Sequence, residues 1–275
     1  MSTMTQTQTR THPVVGTLKP RLSWNRVPVS LISLGIGAIL WEIIGRVADV
    51  PFFPPLTEVL ATLWEMIVSG MIFGNLLVSL GNLAVGFGIS LVAGIVVGTA
   101  IGRYRRVNAA LGIYVYALLT APSLVFAPIF FSIFGAGQAA IIAVIFMYSA
   151  FIMIINTASA VENVNPSLSE MGRSYGASEW QLVTRVILPA ALPMMFAGIR
   201  LGMGRAVTGM INGEMFIAVT GLGRIVTQAG KSFDGAAVLA ILLVIIVVAL
   251  AAVALVQLVD NRMTSWVPSN SKESR

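Results

Sequence analysis

Three ionisable side chains, Arg200, Arg205 and Glu214, interrupt a long apolar stretch, and Asn212 lies close to the last of them. A charged side chain at membrane depth is costly and as a rule faces a bundle interior or a water-filled path. In a helix of about 100° per residue, Arg200 and Glu214 fall within about 40° of each other, roughly four turns apart. This chemistry suits contact with a polar solute, so we predict that Arg200, Asn212 and Glu214 border a translocation path.

Each charged side chain in the apolar stretches also has a structural alternative. Arg200 can extend its long side chain to the membrane surface, and Glu214 can lie near the outer interface as a hydrogen-bond partner. Arg205 falls on the side of the same helix opposite to Glu214, so we place it against a neighbouring helix or the interface. Glu42, in the first apolar stretch, is assigned a structural role.

Residue types that catalyse reactions or bind metals are scarce. The chain has no cysteine, and its single histidine, His12, lies in a polar N-terminal segment, which excludes thiol chemistry and a Ser/His pair inside an apolar stretch. The apolar stretches contain two carboxylates, Glu42 and Glu214, which are too few to bind the metal of a metal-dependent lipid enzyme. The sequence G-x-x-x-x-G-K-[ST] does not occur, so ATP is not bound by that route. We expect no enzymatic activity, no cofactor and no metal.

The composition is that of a membrane protein. Of the 275 residues, 57% are hydrophobic and 10% are charged, whereas a soluble domain carries about 25% charged residues. Apolar stretches near 20 residues recur, which is the length that crosses a hydrocarbon core of about 30 Å, and lipid forces such segments to be helical. The sequence therefore predicts an all-α polytopic membrane protein with about six transmembrane helices and lipid as a partner.

A transmembrane region over residues 28–260 is predicted between two polar tails, 1–27 and 261–275. Residues 159–190, here called the polar loop, separate the fourth span from the fifth. A short amphipathic helix over 57–68 ends at Gly70, and residues 221–235 are predicted to be a loop. The spans are predicted at 28–47, 75–102, 109–134, 138–158, 191–219 and 236–258.

The third span contains two prolines, Pro122 and Pro128. Proline removes a hydrogen bond from a helix interior and so frees a backbone carbonyl group. Non-helical backbone at membrane depth is tolerated where it is buried in protein or lines a cavity. We therefore predict that both prolines interrupt the third span and that this region borders the path.

Basic residues indicate the orientation in the membrane. Six spans place both termini on one side, and that side carries twelve Lys or Arg residues, including those of the polar loop, against three on the other. Because cytoplasmic segments are enriched in Lys and Arg, we predict cytoplasmic termini and a cytoplasmic polar loop in the cell inner membrane. This asymmetry also accounts for the net charge of +6 without nucleic acid as a partner.

Glycines recur along one face of two spans. Small residues allow helix backbones to approach closely in lipid, so close helix packing is expected at these faces, with a homodimer seam as an extension. The second span carries Gly94, Gly98 and Gly102, and the fifth carries Gly198, Gly202, Gly209 and Gly213.

The polar loop has the local signals of a helical hairpin. Asn165 followed by proline is typical of a helix start, and Gly176 can end that helix in a left-handed conformation. Ser178 with Gln181 three residues later predicts a capping box for a second helix. Pro189 marks the end of that helix or a kink into the fifth span. A polar hairpin on a membrane protein suggests a docking surface for a soluble partner.

The pattern of the polar loop, with Glu170, then Gly176 six residues later and then Val186-x-Leu188-Pro189, resembles the EAA loop of binding-protein-dependent ABC importer permeases. Met171 and Gly172 depart from the family's usual pair of alanines. The similarity extends over about residues 54–262. Segments similar to the subfamily that imports nitrate, sulfonates and taurine are found at 122–137, 173–193, 213–216 and 221–223.

The resemblance implies a permease subunit of an ATP-driven importer for a small solute, an anion such as a sulfonate, taurine or nitrate. The implied partners are an ABC ATPase subunit, which hydrolyses ATP, a periplasmic or extracellular solute-binding protein, and a second permease copy in a homodimer. In this family the loop contains the coupling helix that docks into the ATPase. The matching residues here are Glu170, Gly176, Ala177, Ser178, Leu188 and Pro189. Segments 51–73 and 221–235 are the candidate contacts for the binding protein.

Two other functions remain open on the residues alone. One is an ion-coupled secondary carrier that uses Arg200 and Glu214, although no inverted repeat of the kind common in such carriers is visible. The other is a non-transporting membrane scaffold whose polar loop recruits a soluble protein. Co-purification with an ATPase distinguishes these functions.

Overall fold

The structure, a computed structural model, describes residues 26–48, 50, 52–217 and 219–264. Most of the two predicted tails, including His12, lies outside these residues. All regular structure in the described part is helical. The α-helices are α1 Arg26–Ala48, α2 Leu56–Val68, α3 Met71–Arg103, α4 Arg105–Thr120, α5 Ala127–Phe134, α6 Gln138–Glu162, α7 Pro166–Ser174, α8 Glu179–Leu182, α9 Leu188–Ile217, α10 Gly221–Lys231 and α11 Gly235–Met263.

Five of these helices are long and apolar enough to cross a membrane, namely α1, α3, α6, α9 with the helical segment before it, and α11. A sixth span is obtained when α4 is joined to the segment Ser123–Phe134, which follows it after a bend of 98°. The predicted class, an all-α polytopic protein with about six transmembrane helices, is confirmed for the described residues.

The third predicted span is broken at one proline. Ala121 is extended (φ −63°, ψ 139°) because the residue before a proline avoids the helical region, and a 3₁₀ turn over Ser123–Phe126 leads into α5. The interruption predicted at Pro128 is wrong. Pro128 lies in the first turn of α5, where its missing N–H leaves no hydrogen bond unmade.

The loop predicted over residues 221–235 is also wrong, because most of it is the helix α10. Leu222, Ile225 and Ala229 recur at spacings of three and four and are buried, which packs one face of α10 against α3, α9 and α11. Four polar or charged residues cover its other face, and three glycines lower its helix propensity. Packing against the neighbouring helices therefore determines that this segment is helical.

Glycines place α6 at the centre of the bundle. A Cβ added at Gly94 of α3 would lie 2.7 Å from Met153 Cβ, and one added at Gly209 of α9 would lie 2.9 Å from Tyr148 Cβ. Met153 and Tyr148 both belong to α6, so the expected close helix packing is confirmed. The homodimer seam expected at these glycines is wrong, because α6 of the same chain fills both glycine faces.

Helix α1 lies at the periphery, where it packs chiefly on α2. Glu42 Oε2 accepts a hydrogen bond of 3.0 Å from the backbone N–H of Thr57, and its Oε1 lies 2.6 Å from the Arg46 guanidinium. Gly45 allows the contact, since a Cβ there would meet Pro55 Cα at 2.6 Å. These contacts confirm the structural role assigned to Glu42. The remaining face of α1 is apolar and exposed, as suits lipid.

Candidate coupling surface and translocation path

The first helix of the polar loop is closed at both ends by the predicted caps. Asn165 Oδ1 accepts a hydrogen bond of 3.0 Å from the backbone N–H of Ser167. At the other end, Gly176 has φ +76°, and the N–H of Ala177 donates to the carbonyl of Gly172 at 3.1 Å while the N–H of Gly176 donates to that of Arg173 at 2.9 Å. This is a Schellman motif, so the predicted helix ends are confirmed.

The second helix begins at the predicted capping box and continues into the membrane. Gln181 Oε1 accepts from the N–H of Ser178 at 2.9 Å, and Ser178 Oγ accepts from the N–H of Gln181 at 3.4 Å. A π-helical turn over Val183–Ile187 joins α8 to α9. The helix end predicted at Pro189 is wrong, since this wide turn before the proline accommodates its missing N–H and its ring, and the chain stays helical through it.

A small apolar core anchors this hairpin to two membrane helices. Leu182 is fully buried and packs with Val161 of α6 and with Ile187 and Ala191 beside it. A Cβ added at Gly172 would lie 2.7 Å from Leu182 Cδ1. This contact gives a physical reason for glycine at a position where the resemblance to the EAA loop predicts alanine.

Large apolar side chains stand out from the polar loop. Tyr175 is 86% exposed, Trp180 75% and Met171 52%. Exposed aromatic and Met side chains grouped on a polar segment are typical of protein contacts. Of the predicted coupling residues, Glu170, Gly176 and Ser178 are exposed, while Ala177, Leu188 and Pro189 are half-buried.

An ion triad links the polar loop to the end of α3. Glu179 lies 2.9 Å from Arg103 Nη2, at the last residue of α3, and 2.9 Å from Arg173 Nη2 in α7. Hydrogen bonds from Arg103 and then from Arg173 hold the pKa of the Glu179 carboxyl below its ordinary value. A polar cavity of about 330 Å³ adjoins the triad and is also lined by Glu170.

Arg200 is held by an acidic residue that lies just beyond the predicted sixth span. Its Nη2 lies 2.8 Å from Oδ2 of Asp260, and Asp260 is 8% exposed. The helix α11 runs to Met263, past the end of the sixth span predicted at residue 258. Opposite charges near the predicted cytoplasmic ends of consecutive spans were the available signal for this pair.

Glu214 is enclosed in a hydrogen-bond network between three helices. Ser79 of α3 donates to its Oε2 at 2.8 Å, Asn82 of α3 donates to its Oε1 at 3.5 Å, and the backbone N–H of Gly223 donates to its Oε2 at 3.1 Å. Glu214 has no exposed surface. Ser79 Oγ also accepts a hydrogen bond of 2.9 Å from the backbone N–H of Leu222. Side chains from α3 and α9 therefore accept hydrogen bonds from backbone N–H groups at the start of α10, which have no partner within that helix.

The structure does not join Arg200 and Glu214 into one site, since Asp260 holds the first and α3 with α10 hold the second. Asn212 Nδ2 donates to Tyr148 Oη of α6 at 2.9 Å. Pro122 and Pro128 lie at the bend after α4. Within the described ranges, no group of three potential metal ligands occurs.

Comparison with known proteins decides the family. The model of the family described as "Binding-protein-dependent transport system inner membrane component" matches residues 90–265. The chain belongs to this family of transport permeases. It is also 30% identical over 210 residues to the putative aliphatic sulfonates transport permease protein SsuC of Bacillus subtilis, which covers 74% of this chain and 76% of that relative.

Other permeases show that the family serves different solutes. The riboflavin transport system permease protein RibX of Chloroflexus aurantiacus is 29% identical, with 82% of this chain and 84% of that one covered. The nitrate import permease protein NrtB of Synechococcus elongatus is 26% identical, with 82% and 83% covered. An inward-facing structure of the MetNI methionine ABC transporter shares the fold, with 22% identity, a TM-score of 0.57, and 70% and 94% coverage.

In this permease, replacement of Glu179 by glutamine tests the ion triad. Glu179 is half-exposed, so its loss changes the unfolding temperature little. Because the triad joins α3 to the polar loop, we expect stimulation of a bound ATPase by the binding protein to fall about fivefold, measured as ATPase activity of the reconstituted complex. Arg262→Gln, which removes one exposed charge near the end of α11, is the matched control and keeps full stimulation. Equal stimulation in both variants would contradict a coupling role for the triad.

Proposed function

We propose that this chain is the permease subunit of an ATP-driven importer for a small anion such as a sulfonate, taurine or nitrate. The observation that carries the proposal is the polar loop: a capped helical hairpin that exposes Tyr175 and Trp180 and is anchored by Leu182 to α6 and α9. A force applied to such a hairpin reaches both membrane helices directly.

The sequence has no nucleotide-binding loop of its own, so the energy comes from a separate ABC ATPase. We assign the contact with that ATPase to the polar loop, around Glu170, Gly176, Ala177 and Ser178, with Leu188 and Pro189 joining the loop to α9. The loop and both termini then lie on the cytoplasmic side of the inner membrane, where the excess of Lys and Arg places them.

On the outer side, we assign contact with the solute-binding protein to α2 and α10. Both helices are short, and each has one buried face and one exposed face, so each can receive a soluble partner while packed on the bundle. We assign completion of the path to a second copy of the chain, because α3, α6 and α9 of one chain pack closely on one another.

The anionic solute class is supported by two relatives and by the charge of the path helices. SsuC and NrtB are named for aliphatic sulfonates and nitrate, both of which are anions. Of the two arginines of α9, Arg200 is paired with Asp260, whereas Arg205 is exposed and pairs with no carboxylate in the described part of the chain. Unbalanced positive charge along the path favours anions.

Reconstitution tests this function. Proteoliposomes holding the chain, the ATPase that co-purifies with it and the binding protein encoded beside it are expected to accumulate labelled taurine or nitrate only when ATP is supplied on the ATPase side. Vesicles lacking the ATPase, and vesicles supplied with a non-hydrolysable nucleotide, are the controls. Uptake by the chain alone with an ion gradient would instead establish a secondary carrier, and failure of any ATPase to co-purify would leave a scaffold.

A further inference from the structure

A polar stripe runs along the exposed face of α9. Arg205, Thr208 and Asn212 are separated by three and four residues, the spacing that puts side chains on one face of a helix. Arg205 and Thr208 are exposed and Asn212 is half-buried. The buried residues between them, such as Gly209 and Met210, face the bundle. The rest of this chain therefore leaves Arg205 and Thr208 uncovered, while Asn212 lies where the stripe meets α6.

Arg205 is the middle residue of the predicted fifth span, 191–219, which places it near the middle of the membrane. It precedes the last residue of α9, Ile217, by twelve positions, which is about 18 Å along a helix, and the hydrocarbon core is about 30 Å thick. A guanidinium at that depth is too costly to leave in lipid and borders water or a partner. In the part of the chain that the structure describes, no carboxylate pairs with Arg205, whereas Arg200 is paired with Asp260.

Two parts of the stripe, Arg205 and the Asn212–Tyr148 pair, keep hydrogen-bond donors that are free for a further partner, whereas Thr208 does not. Asn212 Nδ2 donates to Tyr148 Oη at 2.9 Å, which leaves the phenolic hydrogen of Tyr148 to donate elsewhere. Thr208 Oγ1 donates to the carbonyl of Gly204 at 3.1 Å. The guanidinium of Arg205 has five N–H donors in a planar fork that matches the oxygens of an oxyanion.

We propose that Arg205 is the mid-membrane anion-attracting residue of this permease, and that its stripe with Thr208 and Asn212 lines the path of a sulfonate- or nitrate-like oxyanion. This rests on the anion-import function proposed above. The charged residue of the path is then Arg205, on the opposite face of α9, and not Arg200 or Glu214, which have partners within the chain.

The absence of cysteine makes a direct test straightforward. Thr208→Cys, one turn from Arg205, is exposed to two thiol reagents of similar size, the anionic 2-sulfonatoethyl and the cationic 2-trimethylammonioethyl methanethiosulfonates, in membranes that carry the permease with its ATPase. The matched control is Leu250→Cys in the middle of α11, whose parent side chain is 66% exposed and surrounded by apolar residues.

The cysteine at position 208 is expected to react with both reagents, and the one at position 250 with neither. The ratio of the anionic to the cationic rate at position 208 is expected to fall about tenfold or more when Arg205→Gln is added, because a fixed charge in a confined path concentrates opposite ions. Arg205→Lys should preserve the ratio. Co-purification with the ATPase verifies that each variant has assembled.

Two results would overturn the proposal: no reaction at position 208, or a rate ratio that Arg205→Gln leaves unchanged. Labelling needs neither a transported solute nor ATP, so it separates this proposal from the function on which it rests. If taurine and nitrate are not taken up but the charge-dependent labelling is found, the solute class proposed above fails while the assignment of Arg205 to the path holds.

Discussion

Replacement of Gly176 by valine is expected to weaken binding of the ATPase about thirtyfold and to abolish solute uptake in a protein that still folds. At φ +76° a residue with a side chain costs about 1–2 kcal/mol, and a β-branched one costs more. Nothing lies within 4 Å of a Cβ at this position, so the strain stays local. The strain is relieved when α7 changes its orientation relative to α8, and this change moves Tyr175 relative to Trp180. Losing one interface residue that contributes about 2 kcal/mol to ATPase binding lowers the affinity by this factor of about thirty.

Gly70→Val is the matched control. Gly70 has φ +74°, a Cβ there would also meet nothing within 4 Å, and the residue precedes α3, away from the polar loop. The two variants should lose similar stability, measured as the unfolding temperature of the purified permease. ATPase binding, measured by titration of the ATPase onto the reconstituted permease, should fall only for Gly176→Val. Equal losses of binding in both variants would show that backbone strain alone, and not the geometry of the polar loop, is responsible.

The polar loop could be predicted residue by residue because its determinants are local. Asn165, Gly176 and the Ser178–Gln181 capping box each act within four residues of the chain, so the printed sequence contains the whole interaction. Pro189 follows the opposite rule. A proline at that position predicts an end or a kink, and the π-helical turn over Val183–Ile187 keeps the chain helical there.

The charged residues of the spans could be found in the sequence, but their partners could not. Angular position on a helix placed Arg200 and Glu214 together, yet the residues that bind them come from α11 and α3. An apolar span has no polar face to fix its rotation, so only the assembled bundle shows which side of α9 meets α6. The glycines of α3 and α9 likewise predicted close packing but not which helix packs there. Helix α10 was missed for another reason, since its three glycines lower its helix propensity.

The packing of α6 between the glycine faces of α3 and α9 has a consequence for coupling. Leu182 anchors the polar loop to α6 and α9, and Arg103 ties the end of α3 to Glu179. Closely packed interiors transmit strain with little compression. A displacement of the polar loop is therefore expected to move α3, α6 and α9 as one unit. The opening and closing of the path to either side of the membrane would then occur between this unit and its neighbours.

Replacement of Glu214 by alanine is expected to destabilise the permease by about 3–5 kcal/mol, the range for a buried network broken together with a cavity. The substitution leaves Ser79, Asn82 and the N–H of Gly223 without their acceptor. Denaturant unfolding of the purified protein measures the loss. Glu214→Gln keeps the shape of the side chain, but its NH₂ group then faces other hydrogen-bond donors. This variant should lose about 1–3 kcal/mol of stability. Glu170→Ala, at an exposed site, should change stability by less than about 0.5 kcal/mol.

Hydrogen exchange locates the same defect within the fold. Glu214 and Ser79 accept the N–H groups of Gly223 and Leu222 at the start of α10, and the carboxylate lies against Gly221, so that a side chain there would collide with it. Removing the carboxylate should release α10 first: its amides exchange faster in Glu214→Ala, while those of α6 stay protected. Uniform loss of protection across α6 and α10 would instead show that Glu214 stabilises the whole bundle and does not fasten α10 in particular.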